Sequence, residues 1–107
     1  MSEADCLLVL TTLPLDSDAA ALAATLVSER LAACVSVLSE VDSTYAWEGR
    51  VERGRERQIL IKTTVARWPA LVERIRQRHP YDVPEIIAVP ISAGYPPYLR
   101  WVSDATI

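Results

Sequence analysis

The chain has 107 residues, half of them hydrophobic and 23% charged, which fits one folded soluble domain over residues 1–107 and leaves too little chain for two. Its net charge of −3 and pI near 5.1 argue against a nucleic-acid binder, whose grip on phosphates needs clustered cations. No apolar run approaches the roughly 20 residues of a membrane span, and the N-terminal "MSEADCLLVLTT" lacks the basic start and cleavage site of a secretory leader.

A cytoplasmic chain is therefore expected, with Cys6 and Cys34 as reduced thiols. The mean hydropathy of +0.15 is high for so small a domain and predicts that part of its surface is buried against another chain.

"DCLLVLTT", residues 5–12, is a short continuous apolar run and reads as a strand buried on both faces. The next segment changes to helical period: Ala19, Leu22, Ala23, Leu26 and Val27 form one stripe, with Ser17 or Asp16 as N-cap and Asp18 favourable to the helix dipole.

"CVSVLSEVDSTYAW" alternates, which assigns Val35, Val37, Val41, Tyr45 and Trp47 to one face. "EGR" offers a glycine turn, and "VERGRERQILIKTT" returns as a third strand. Residues 34–47 would span about 45 Å as an unbroken strand, against ~30 Å for a domain of this size, so the hairpin is expected to project. Arg50, Arg53, Arg55 and Arg57 alternate with Glu52 and Glu56, a pattern of a solvated hairpin or of ion pairs between subunits.

Helical period resumes with Trp68, Leu71, Val72, Ile75 and His79. Pro69 is tolerable only in the first turn, which predicts an N-cap near Thr64, and Pro80 ends the helix at His79. "EIIAVPI" is a fourth strand with Pro90 at an edge or bulge. "PPYLRWVSDATI" closes the chain as a helix, with Tyr98 and Trp101 or Trp101 and Val102 facing inward. The order β-α-β-β-α-β plus a terminal helix is the α+β, ferredoxin-like arrangement. Strands one, three and four read apolar on both sides, so the second sheet face is expected to be covered in an oligomer.

The phrases "LAACVSV" (31–37), "YAWEGRVE" (45–52), "ILIKTT" (59–64), "HPYDVPEIIAVPI" (79–91) and "YLRWV" (98–102) resemble, in this order, the CutA divalent-cation tolerance family. The resemblance implies a tight homotrimer of PII-like architecture in which the hairpin reaches a neighbouring subunit. It also implies a cytoplasmic protein linked to tolerance of copper and other divalent cations, with no established reaction.

His79, the only histidine, could offer an imidazole nitrogen to copper or another divalent cation; the alternative is a cap that anchors the turn into Pro80. In copper-binding proposals for the family, a cysteine near the end of the first strand and a second histidine just before the "HPY" histidine join it. Those positions here are Thr11 and Arg78. Cys34 is a softer candidate ligand, weighed against a buried small hydrophobe.

Lys62, the one lysine among eleven cations, could meet an anion in a cleft between subunits or snorkel from a strand end. Trp47, Tyr81, Glu85, Tyr98 and Trp101 are expected to line the same cleft, with Glu85 its polar anchor, or else to pack the core or interface.

An acylphosphatase on this fold would need an asparagine, and the chain has none; one histidine without a partner nucleophile supports no triad. An RNA-binding sheet would carry aromatics where the third strand has "RQILIKTT". The reading is a non-catalytic trimer holding a metal or small ligand in clefts between subunits. The alternative is a PII-like regulator or scaffold for small anions or a protein partner, with no metal role.

Overall fold

The structure, a computed structural model, describes residues 5–107. Strand β1 (Cys6–Pro14) leads to helix α1 (Ala19–Ser28), then to the hairpin of β2 (Cys34–Trp47) and β3 (Arg50–Thr64). A 3-10 turn (Val65–Arg67) runs into α2 (Trp68–Arg78), followed by β4 (Ile86–Pro90) and α3 (Pro96–Ala105). The four strands form one antiparallel sheet in the order β2-β3-β1-β4, which is the ferredoxin-like topology.

The N-cap of α1 is Asp18, whose carboxylate accepts a hydrogen bond from the Ala21 backbone N–H at 2.9 Å. This corrects the expected Ser17 or Asp16, since the helix starts at Ala19 and Asp18 is the residue that immediately precedes it; its loss costs about 1 kcal/mol. The helix ends in a Schellman motif, with Leu31 N–H bonded to Leu26 C=O at 2.9 Å and Arg30 N–H to Val27 C=O at 3.0 Å. Arg30 takes the left-handed position at φ 60° that glycine usually fills.

Leu22 and Leu26 of α1, Leu71 and Ile75 of α2 and Val9, Ile59 and Ile61 of the sheet form the main core. Each fully buried Leu or Ile there contributes about 1.5–3 kcal/mol. Val27, expected on the same stripe as Leu26, is instead exposed. Thr64 stands before the 3-10 turn without a side-chain capping bond, and the N-cap position of α2, which has Pro69 in its first turn, is Arg67 rather than Thr64. His79 leaves helical geometry at ψ 135°, as the following Pro80 requires. Pro90 ends β4, an edge strand, where its missing N–H is tolerated.

The hairpin carries the long dimension of a molecule measuring 44 × 26 × 24 Å. Glu48 (φ 49°) and Gly49 (φ 76°) make its two-residue turn, both with the positive φ of a type I′ connection. Between Val37↔Ile59 and Glu40↔Arg57, Leu38 and Ser39 stand opposite Gln58 alone, which is a β-bulge. The extra residue reverses side-chain parity. Val35 and Val37 share the helix-facing side with Ile61 and Ile59, whereas Val41, Tyr45 and Trp47 lie with Glu56, Glu52 and Arg50 on the other. The single face expected for all five apolar residues of β2 is corrected by this bulge.

On the sheet face away from α1 and α2, α3 covers one end by packing Leu99 and Val102 against Cys6 and Ala33. Tyr98 and Trp101 point outward instead, 39% and 47% exposed, with ring centroids 5.6 Å apart. The inward pairing expected of them fails because Leu99, Val102 and Ser103 form the buried stripe of this helix. Beyond α3 the same face presents Leu8, Leu10 and Leu60 half-buried and Ile87 and Val89 exposed.

Candidate functional site

A cleft of about 460 Å³ lies between the hairpin and the loop joining α2 to β4. The hairpin contributes Tyr45, Trp47 and Glu56, and the loop contributes Pro80, Tyr81, Asp82, Val83 and Glu85; Thr12 of β1 completes the lining. The bulge in β2 is what turns Tyr45 and Trp47 to the same side as Glu56.

His79 fastens the loop to the sheet. Its Nε2 donates to the Thr12 carbonyl oxygen at 2.6 Å, while Nδ1 accepts the backbone N–H of Tyr81 at 3.1 Å. This pairing sets the neutral tautomer with the proton on Nε2. The imidazole also packs on the Tyr81 ring, centroids 4.8 Å apart. Tyr81 Oη then donates to Glu56 Oε1 at 3.3 Å, and Ser43 Oγ donates to the other carboxylate oxygen at 2.6 Å. One chain of contacts thus runs from β1 through the loop to the hairpin. The phenol of Tyr81 has its pKa raised above the usual value by burial first, then by the charge and hydrogen bond of Glu56, with smaller contributions from Tyr45 and Asp16.

Of the residues expected at a ligand cleft, Trp47, Tyr81 and Glu85 come together here. Lys62, Tyr98 and Trp101 do not line this cleft within one chain. Lys62 sits half-buried on β3, in register with Leu8 and Cys34. Sequence reasoning missed Thr12 and Glu56 as cleft residues and assigned Tyr45 only to a strand face. The two-residue spacing of Tyr45 and Trp47 in "YAW" was the available signal, whereas nothing local marks Glu56 among its alternating charges.

The residues present do not fit copper. Both nitrogens of His79 are already bonded within the chain. At the two positions that would join it, Thr11 is fully buried with an unpartnered hydroxyl, and Arg78 donates to Thr25 Oγ1 at 2.9 Å. Cys34 lies beside Ser36, its Sγ 4.0 Å from the hydroxyl, and pairs in register with Lys62. Lys62 and Gln58, the residue opposite Thr12, are about 13 Å apart along β3. Among the described residues no three His, Cys, Asp or Glu side chains converge as a metal site.

The chain is 45% identical over 98 residues to the divalent-cation tolerance protein CutA of Thermus thermophilus, covering 92% of this chain and 95% of that one. It is 43% identical over 95 residues to Protein CutA of Mus musculus, covering 89% of this chain but 54% of the longer mouse protein. The solved structure of the Thermus thermophilus protein matches with a TM-score of 0.91 at 44% identity, over 94% of this chain and 98% of that one. CutA from Xylella fastidiosa gives 0.91 at 42% identity, over 96% and 99%. The family model for the CutA1 divalent ion tolerance protein matches residues 7–105. With that match and these relatives spanning nearly all of its length, the chain belongs to the CutA1 divalent ion tolerance family.

Proposed function

We propose that this non-catalytic protein acts as a homotrimer that holds a small organic ligand in the cleft between its hairpin tip and the 79–85 loop. The observation that carries the reading is the convergence of Trp47, Tyr81 and Glu85 on one cleft of ligand size. Bound metal is the weaker reading, because His79 is spent on the loop. A small anion is also disfavoured, since the lining holds carboxylates and no Lys or Arg.

The trimer is supported by the half-open apolar sheet face of Leu8, Leu10, Leu60, Ile87 and Val89 and by a hairpin with little core of its own. A cytoplasmic setting would keep the thiols of Cys6 and Cys34 reduced.

Light scattering at micromolar concentration is expected to give the mass of three chains; a stable monomer overturns the assembly. A thermal-shift panel of amines, neutral aromatics, organic anions and divalent metals tests the cleft. A shift that disappears in Trp47→Ala supports it, and a flat panel rejects it.

A further inference from the structure

Resting on that cleft, the composition of its walls selects a ligand class. Three aromatic rings, Tyr45, Trp47 and Tyr81, share it with three carboxylates, Glu56, Asp82 and Glu85. No Lys or Arg lines it. Arg55 and Arg57 flank Glu56 but alternate to the other side of the strand, where Glu40 at 2.6 Å and Asp42 at 3.5 Å hold Arg55; Arg50, on the Trp47 face, is paired with Glu52 at 3.3 Å. Glu56 receives only neutral hydroxyl donors, from Ser43 and Tyr81. The cleft therefore carries uncompensated negative charge beside π-faces.

Geometry and chemistry disfavour two alternatives, a bare divalent ion and an anion. A bare divalent ion needs several carboxylate oxygens within about 2.6 Å of one point, and among the described residues no such group of three exists. An anion would meet three carboxylates and no Lys or Arg in the lining. A bulky cation with its charge spread over alkyl groups needs neither close ligands nor a hydrogen-bond cage. It gains from aromatic faces and from carboxylates several ångströms away.

We infer that this cleft is a site for an organic cation, an alkylammonium or quaternary ammonium group seated against Trp47, Tyr45 and Tyr81 and facing Asp82 and Glu85. The pKa of Tyr81 is raised first by burial and then by the charge of Glu56, in keeping with an acidic cleft wall. Tyr81 ties the two walls together through Glu56, so the aromatic faces are positioned before a ligand arrives.

The test uses the intact protein, with choline, its neutral isostere 3,3-dimethylbutan-1-ol and benzoate as probes. Binding is read from the NMR shift of the Trp47 indole N–H, assigned with Trp47→Phe. Choline is expected to bind saturably and about tenfold more tightly than the neutral isostere. The doubly substituted variant Asp82→Asn, Glu85→Gln changes only exposed side chains, and its fold is checked by the melting curve. It should weaken choline about tenfold and leave dimethylbutanol unchanged. Equal or tighter binding of dimethylbutanol or benzoate overturns the cation assignment while leaving the cleft as a ligand site. No shift with any of the three overturns both.

Discussion

The imidazole of His79 and the backbone of Thr12 are joined by a 2.6 Å hydrogen bond that crosses 67 residues of sequence. It pins the loop after α2 to β1 and uses the nitrogen that a metal would need. His79→Ala is expected to lower stability by about 1–3 kcal/mol, because the Thr12 carbonyl and the Tyr81 N–H both lose their partner. Copper titration followed by visible absorption should give the same curve for the wild type and this variant. A saturable uptake that His79→Ala abolishes would show that the ring can leave Thr12 for a metal.

Tyr81 carries the pH prediction. Its folded-state pKa is raised, so the folded protein retains a proton there that the unfolded chain has already lost. The stabilisation is complete below the unfolded value near 10 and is lost as pH rises through the folded value. Melting curves between about pH 9 and 11 should fall less steeply for Tyr81→Phe than for the wild type. Glu56→Gln should bring the ultraviolet titration of Tyr81 earlier, since it removes a neighbouring charge that opposes ionisation. An unchanged titration would place the cause in burial alone.

Arg30 sits at the left-handed position that closes α1, at φ 60°. Arg30→Gly should stabilise the protein by about 0.5–1 kcal/mol, the relief of the Cβ clash less the added freedom of glycine in the unfolded chain. Arg30→Ala retains the Cβ and should not show this gain. Urea unfolding of the three proteins compares them directly.

Leu99 anchors α3 over Cys6, whose thiol lies 3.7 Å from the Leu99 carbonyl and is fully buried. Leu99→Ala should cost about 2–4 kcal/mol and make Cys6 reactive toward a thiol reagent while α1 and α2 stay packed. A Cys6→Ser control separates this signal from that of half-exposed Cys34. Unchanged thiol kinetics would mean that α3 holds its place without this side chain.

Much of the site was legible in "HPYDVPE" and "YAWEGR". Pro80 dictates where α2 stops, and Gly49 dictates the hairpin turn, so both cleft walls were located from local rules. The roles of single residues were not. The Thr12 carbonyl is invisible to any side-chain motif, and Glu56 looked like one more solvated charge until Tyr81 and Ser43 came to it from other elements.

The sequence by itself determined the order of elements, the stop of α2 at Pro80 and most of the main core, because propensity, periodicity and proline geometry act over a few neighbouring residues. Only the tertiary structure decided which face each residue joins. One bulged residue in β2 sends Tyr45 and Trp47 to the opposite side from Val35, and the burial of Leu99 and Val102 sends Tyr98 and Trp101 outward. Both outcomes are set by pairing register and by what another segment covers, and these are properties of contacts between distant parts of the chain.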